Sequence, residues 1–169
     1  MIVSGTGHRP DKLGGYGKEA FNNLVCLAED WLEENKPTKV ISGMALGWDQ
    51  ALATASIKLD IPFIAACPFF GQESKWPIES QKVFNELLKK AKDVLYICDK
   101  GYAPWKMQIR NEYMVDHSDV ILALYNGDPS GGTFNCITYA NKHNKSIVNL
   151  WEEFNGNQRN LDELLRRAA

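Results

Sequence analysis

Lys39-Val40-Ile41-Ser42-Gly43-Met44-Ala45-Leu46-Gly47-Trp48-Asp49-Gln50 is the stretch that decides the fold. Its first four residues read as a short strand of the kind buried on both faces of a sheet. Small residues and two glycines follow. From Trp48 onward, Trp48, Leu52, Ala55 and Leu59 return at helical spacing. A strand that turns through glycine into a helix is the unit of a parallel sheet with crossover connections.

The same grammar recurs on both sides. Short apolar runs at Met1–Ser4, Pro62–Cys67, Val94–Cys98, Val120–Tyr125 and Ile147–Trp151 bring the expectation to about six strands. Between the first two, Leu24, Leu27, Ala28, Trp31 and Leu32 form one apolar stripe of a helix that stops before Pro37. Phe84, Leu87, Leu88 and Ala91 repeat the spacing after Pro77, and Trp105, Ile109 and Tyr113 do so more weakly after Pro104. A further helix is expected from Gly131 to His143. Asn160-Leu161-Asp162-Glu163 reads as a capping box opening a last helix through Leu164 and Leu165. The expected fold class is α/β, a Rossmann-like three-layer sandwich with a mainly parallel sheet, and residues 1–169 are expected to form a single domain.

Composition sets the outer bounds. Nineteen basic against 21 acidic residues give a net charge of -2, so no global positive field is available for a nucleic-acid backbone, and duplex nucleic acid is not an expected partner. Cys26, Cys67, Cys98 and Cys136 are far apart, without a C-x-x-C pair, which points to reduced, buried thiols rather than a disulfide framework or zinc. His8, His117 and His143 are too scattered for a metal-ligand motif, and neither metal nor cofactor is expected. No signal-like segment follows Met1, and no run approaches the roughly 18 apolar residues of a membrane span, so a cytoplasmic, membrane-free protein is expected. Trp31, Trp48 and Trp105 on helix faces are compatible with a homo-oligomer as well as with an ordinary core.

In an open parallel sheet, ligands sit beyond the carboxyl ends of the strands, so the residues just after each strand are the candidates for chemistry. After the first come Gly5, Thr6, Gly7, His8 and Arg9, within a stretch carrying five glycines in thirteen residues, suited to wrapping an anionic or polar group. After the second come Ser42, Gly43, Gly47 and Asp49, where Asp49 serves either as a helix cap or as a partner for a ribose hydroxyl. The third is followed by Pro68, Phe69, Gln72 and Trp76, aromatic faces that could stack on a base while Gln72 reads its edge. Arg110 and Asn111 lie in the helix before the fifth strand, where an arginine fork suits a phosphate. Gly131-Gly132-Thr133 opens the next helix and is the strongest anion-site candidate, with no carboxylate from Gly131 until Glu152.

Taken in order, GTGHRP with KLGGYG, SGMALGWDQALA, PFFGQESKWP, RNEYMVDHSDVILALYNG and SGGT resemble the YpsA-like branch of the SLOG superfamily, whose relatives include the LOG phosphoribohydrolases and DprA. The resemblance implies a Rossmann-like fold that binds nucleotides or nucleotide-derived ligands. The family's Ser-Gly-x-x-x-Gly-x-Asp pattern falls on Ser42, Gly43, Gly47 and Asp49; its Pro-Phe loop on Pro68, Phe69, Gln72 and Trp76; its Arg-Asn pair on Arg110 and Asn111; and its phosphate-type motif on Gly131, Gly132 and Thr133. LOG hydrolases carry a glutamate one helical turn later, where this chain has Ile137.

Two functions follow. One is a binding protein, a sensor, carrier or sponge for a nucleotide-derived small molecule, with phosphate on Gly131, Gly132 and Thr133, Arg110 assisting, and Phe69 or Trp76 against the base. The other is an enzyme cleaving or exchanging a nucleotide's N-glycosidic bond, with Asp49, Glu112 and Arg110 as candidate catalytic groups. Single-strand DNA binding, by analogy with DprA, is a weaker third option that the acidic balance disfavours.

Overall fold

A computed structural model describes residues 1–169. Six strands, β1 (Ile2–Gly7), β2 (Lys39–Ser42), β3 (Phe63–Cys67), β4 (Asp93–Tyr96), β5 (Val120–Leu124) and β6 (Ser146–Asn149), form one sheet in the order β4-β3-β2-β1-β5-β6. Every neighbouring pair is parallel. The helices are α1 (Lys18–Asn35), α2 (Trp48–Lys58), α3 (Ile78–Lys90), α4 (Pro104–Asp116), α5 (Gly131–Lys142) and α6 (Trp151–Ala168), with a 3-10 turn at Pro10–Lys12. This is a Rossmann-like α/β architecture, and no helix is long and apolar enough to cross a membrane.

The chain steps outward from β1 to β4, then returns to place β5 on the other side of β1. Right-handed crossovers therefore put α1, α2 and α3 on one face and α4 and α5 on the other. The main core lies under α1 and α2 and includes Leu24, Ala28, Leu32, Trp48, Leu52 and Phe63. Trp48 is fully buried, and its indole N–H donates to the Leu122 carbonyl at 3.1 Å, so the largest core side chain leaves no polar atom orphaned. α1 ends at Lys36, which adopts a left-handed φ of 45° just before Pro37.

Several expectations need correction. β1 runs on to Gly7, so Gly5, Thr6 and Gly7 belong to a strand rather than a loop. β6 stops at Asn149, whose side-chain oxygen accepts the Trp151 N–H at 3.3 Å, and α6 starts there. Asn160 is consequently in mid-helix, and its capping box caps nothing. On α4 the stripe is rotated: Trp105 and Ile109 are exposed, while Lys106, Arg110, Asn111, Met114 and Val115 are buried. The helix turns polar groups inward because its first half faces strand ends and loop carbonyls rather than sheet side chains. Of the four free cysteines, Cys67 and Cys136 are buried, Cys98 is half-buried and Cys26 is exposed. Burial pushes the Cys67 thiol up to about 12 and that of Cys136 to about 11.

Candidate functional site

The strand order reverses between β1 and β5, and at their carboxyl ends opens a cleft of about 550 Å³. Connections leaving these two strands diverge to opposite faces of the sheet, which is why a crevice forms there. α5 begins on its rim with Ser130 as N-cap, and no side chain caps its first-turn amides. Those N–H groups and the positive end of the helix dipole favour an anion. Gly131 holds φ at +90°, a region that glycine alone enters at little cost, and a Cβ on either Gly131 or Gly132 would meet nothing within 4 Å. Thr133 is buried against the same space.

The floor is built around Gly43. Arg110 Nη1 donates to the Gly43 carbonyl, Nε donates to Asn111 Oδ1 at 3.0 Å, and Nη2 has no acceptor within the chain. Asp49 projects from the first turn of α2 and accepts the Ala45 N–H on Oδ2 at 3.3 Å. Burial raises the Asp49 carboxyl above the usual carboxylate range, and the attraction of Arg110 and Arg9 only partly offsets this. Burial likewise lowers the Arg110 pKa, against the opposing pull of Asp49. Ser42 Oγ donates to the Asp49 carbonyl at 2.7 Å and accepts the Met44 N–H at 3.2 Å. Gly47 caps α2 at φ 92°. Ser42, Gly43 and Gly47 thus shape the turn, while Asp49 and Arg110 border the cleft.

From β1 and the two residues after it, Gly5, Thr6, Gly7, His8 and Arg9 all border the cleft. The two strand glycines have a further reason to lack side chains: a Cβ on Gly7 would lie 2.7 Å from Trp48 Cβ, and one on Gly5 2.8 Å from Leu52 Cδ2. They let α2 pack close to β1. His8 Nε2 lies 2.8 Å from Asn126 Oδ1 and 3.1 Å from the Asn126 amide nitrogen, so the ring ties the end of β1 to the loop after β5. Lys12 pairs with Asp128 at 3.1 Å across the same gap. The Ser130 hydroxyl, and after it Lys12, hold the Asp128 carboxyl below the usual range.

The loop after β3 does not border the cleft, and neither do Pro68, Phe69, Gln72 or Trp76. Phe69 is buried, Trp76 meets Phe84 edge-on at 5.5 Å in the core, and Gln72 Nε2 donates to the Gly43 carbonyl at 3.4 Å, bracing the floor from behind. Glu112 is also outside, accepting Gln108 Nε2 at 3.1 Å, whereas its neighbour Asn111 lies inside. The cleft also contains Lys12, Tyr102, Gln108 and Asn135, which the sequence did not single out. Tyr102 stands just past the end of the fourth strand, so the strand-end rule itself could have found it.

A family model described as the YspA SLOG family matches residues 3–151. The chain is 34% identical over 137 residues to the uncharacterized SPbeta prophage-derived protein YoqJ of Bacillus subtilis, covering 72% of this chain and 80% of that one. The fold is similar to that of DNA processing protein A from Streptococcus pneumoniae, with TM-score 0.64 and 16% identity over 88% of this chain, which spans only 49% of that longer protein. It is also similar to the molybdenum cofactor carrier protein of Chlamydomonas reinhardtii, with TM-score 0.58 and 14% identity, covering 96% of this chain and 84% of that one. At such identities the two structures speak for the fold alone. The sequence match, which runs from β1 to the first residue of α6, is what decides the family: the chain belongs to the YspA SLOG family.

Proposed function

We propose that the cleft binds a nucleotide or nucleotide-derived small molecule, with phosphate against Gly131, Gly132 and Thr133 and a sugar hydroxyl toward Asp49, and that the chain serves as a sensor, carrier or sponge for it. One observation carries this. Twelve polar or charged side chains are buried, and six of them, Thr6, His8, Asp49, Arg110, Asn111 and Thr133, line this single cleft. Buried polar groups normally find partners within the protein, because an orphan costs about 1–3 kcal/mol. Gln108 Oε1, on a residue of the cleft, is buried with no partner. Asp49 Oδ1, Arg110 Nη2 and Thr133 Oγ1 make no hydrogen bond within the chain and stay open to the cleft, where together they offer an acceptor for hydroxyls and donors for an anion. Isothermal calorimetry against nucleoside monophosphates, ADP-ribose and cyclic dinucleotides tests the proposal. Heat is expected for at least one of them, and silence across the panel at millimolar concentration rejects it.

A second reading rests on Asp49 alone. A buried carboxylate with raised proton affinity is suited to general-base work. It would take a proton from a water whose oxygen attacks C1′ of the sugar; the C1′–N bond would break with its electrons going to the base, which then receives the proton. Glu112 lies outside the cleft and is not proposed for this role. Free base released by wild type and not by Asp49→Asn would establish hydrolysis; no release from any nucleoside monophosphate would reject it.

A further inference from the structure

The segments lining the cleft differ in character. Gly131–Thr133, Arg9 and Arg110 suit an anion, whereas the loop between β4 and α4 contributes Tyr102, the one tyrosine, tryptophan or phenylalanine on the cleft. Tyr102 is 66% exposed, so its ring is free to meet a ligand in the cleft.

An exposed aromatic on a loop would ordinarily be loose. Here it is clamped. Lys106, in the first turn of α4, is 5% exposed, and its Nζ donates to the carbonyls of Gly101 at 2.7 Å and Asp99 at 2.9 Å, with Lys100 at 3.4 Å. The Asp99 carboxylate pairs with it at 3.0 Å. A buried ammonium is tolerated only when oxygens replace its water, and every oxygen here comes from the same three-residue loop. Lys106 Nζ also lies 5.9 Å from the centroid of the Phe69 ring, and Phe69 meets the Tyr102 ring at 82° with centroids 6.1 Å apart. Backbone and ring are therefore both held from the Lys106 side, leaving Tyr102 placed before any ligand arrives.

We propose that the loop Asp99–Ala103 is the base-facing wall of the cleft: an aromatic base of the ligand stacks on Tyr102, and Lys106 is the positioning residue that keeps Tyr102 in place. This rests on the nucleotide reading of the cleft and adds which end of the ligand goes where. A sugar phosphate alone would leave Tyr102 bare, whereas a nucleotide covers it. Fixing the ring beforehand removes an ordering cost from binding.

Calorimetry on the full chain with AMP and with ribose 5-phosphate tests this. Tyr102→Ala and Lys106→Met are each expected to lower AMP affinity by roughly five- to a hundred-fold, the size of one base–ring stack, while changing ribose 5-phosphate affinity by less than about two-fold. Tyr102→Phe is expected to keep AMP affinity near wild type. If Tyr102→Ala leaves AMP affinity unchanged, or lowers both ligands equally, the loop is not the base wall and the assignment falls while the cleft stands. If wild type binds neither compound nor any nucleotide of the calorimetry panel above, the nucleotide reading falls with it; where another panel nucleotide binds, it replaces AMP in the same comparison. Tyr102→Ala removes only an exposed ring, so the test survives even if Lys106→Met fails to fold.

Discussion

Gly43 gives Arg110 both an acceptor and the room to reach it: Nη1 donates to the Gly43 carbonyl, and a Cβ on Gly43 would lie 2.5 Å from that same nitrogen and 2.8 Å from Asp49 Oδ2. The absence of a side chain on β2's exit turn thus fixes a guanidinium that arrives from α4. Gly43→Ala is expected to push Arg110 out of this seat, leaving a buried donor unpaired and lowering stability by about 1–3 kcal/mol. Urea denaturation measures this. A midpoint equal to wild type would mean that the two residues are not coupled.

Asp49 makes a pH prediction whose direction is set by burial. Its carboxyl holds a proton more tightly in the folded chain than in the unfolded one, because desolvation outweighs Arg110 and Arg9. The folded state therefore loses stability as pH rises from the ordinary carboxylate pKa of about 4 through the raised folded value, and the cost is fully present above it. Asp49→Asn cannot ionise and is expected to melt higher than wild type at neutral pH, by roughly 2–4 °C for each kcal/mol relieved, with the gap closing toward pH 4. The same variant should bind nucleotide more weakly. Melting curves across pH decide it, and an Asp49→Asn protein less stable than wild type at pH 7 would reverse the sign.

The alternation of strands and helices was legible because buried parallel strands are short apolar runs with glycine turns at their ends, and Lys39–Gln50 displays all of it. The stripe on α4 was misread because Trp105 and Ile109 have the right spacing for a core, yet the loop carbonyls and the Gly43 turn draw Lys106 and Arg110 inward instead. The aromatic loop after β3 drew attention through its composition. Only the packing of Trp76 on Phe84, the burial of Phe69 and the course of the loop away from the cleft leave Tyr102 as the aromatic ring that borders it. Periodicity finds elements, whereas the facing of one residue depends on partners far away in sequence.

Gly5 and Gly7 are expected to respond unequally to alanine, although both sit in β1 over α2. At Gly7 a Cβ meets Trp48 Cβ at 2.7 Å and Cδ1 at 2.8 Å, the root of a bulky side chain that no rotamer change moves away. At Gly5 the nearest atom is Leu52 Cδ2 at 2.8 Å, the far end of a side chain that can change rotamer. Gly7→Ala is expected to cost about 1–3 kcal/mol or more, with Gly5→Ala clearly milder. Thermal denaturation of the two variants side by side provides the measurement, and equal losses would contradict the packing argument.

Gly131 and Gly132 separate backbone strain from ligand contact. At Gly131 the φ of +90° makes any L residue strained although space is free, so Gly131→Ala is expected to lower stability by about 1–3 kcal/mol and to disturb the start of α5. Gly132 has no such φ, and a Cβ there meets nothing within 4 Å. Gly132→Ala should leave the melting temperature unchanged or slightly higher, since alanine is the better helix former. The added methyl would nevertheless stand where the proposed phosphate approaches the first-turn amides, and a loss of nucleotide affinity of about ten-fold is expected, equivalent to about 1.4 kcal/mol. Calorimetry combined with melting resolves the two effects. A Gly132→Ala protein that melts like wild type and binds nucleotide equally well would place the phosphate somewhere other than the start of α5.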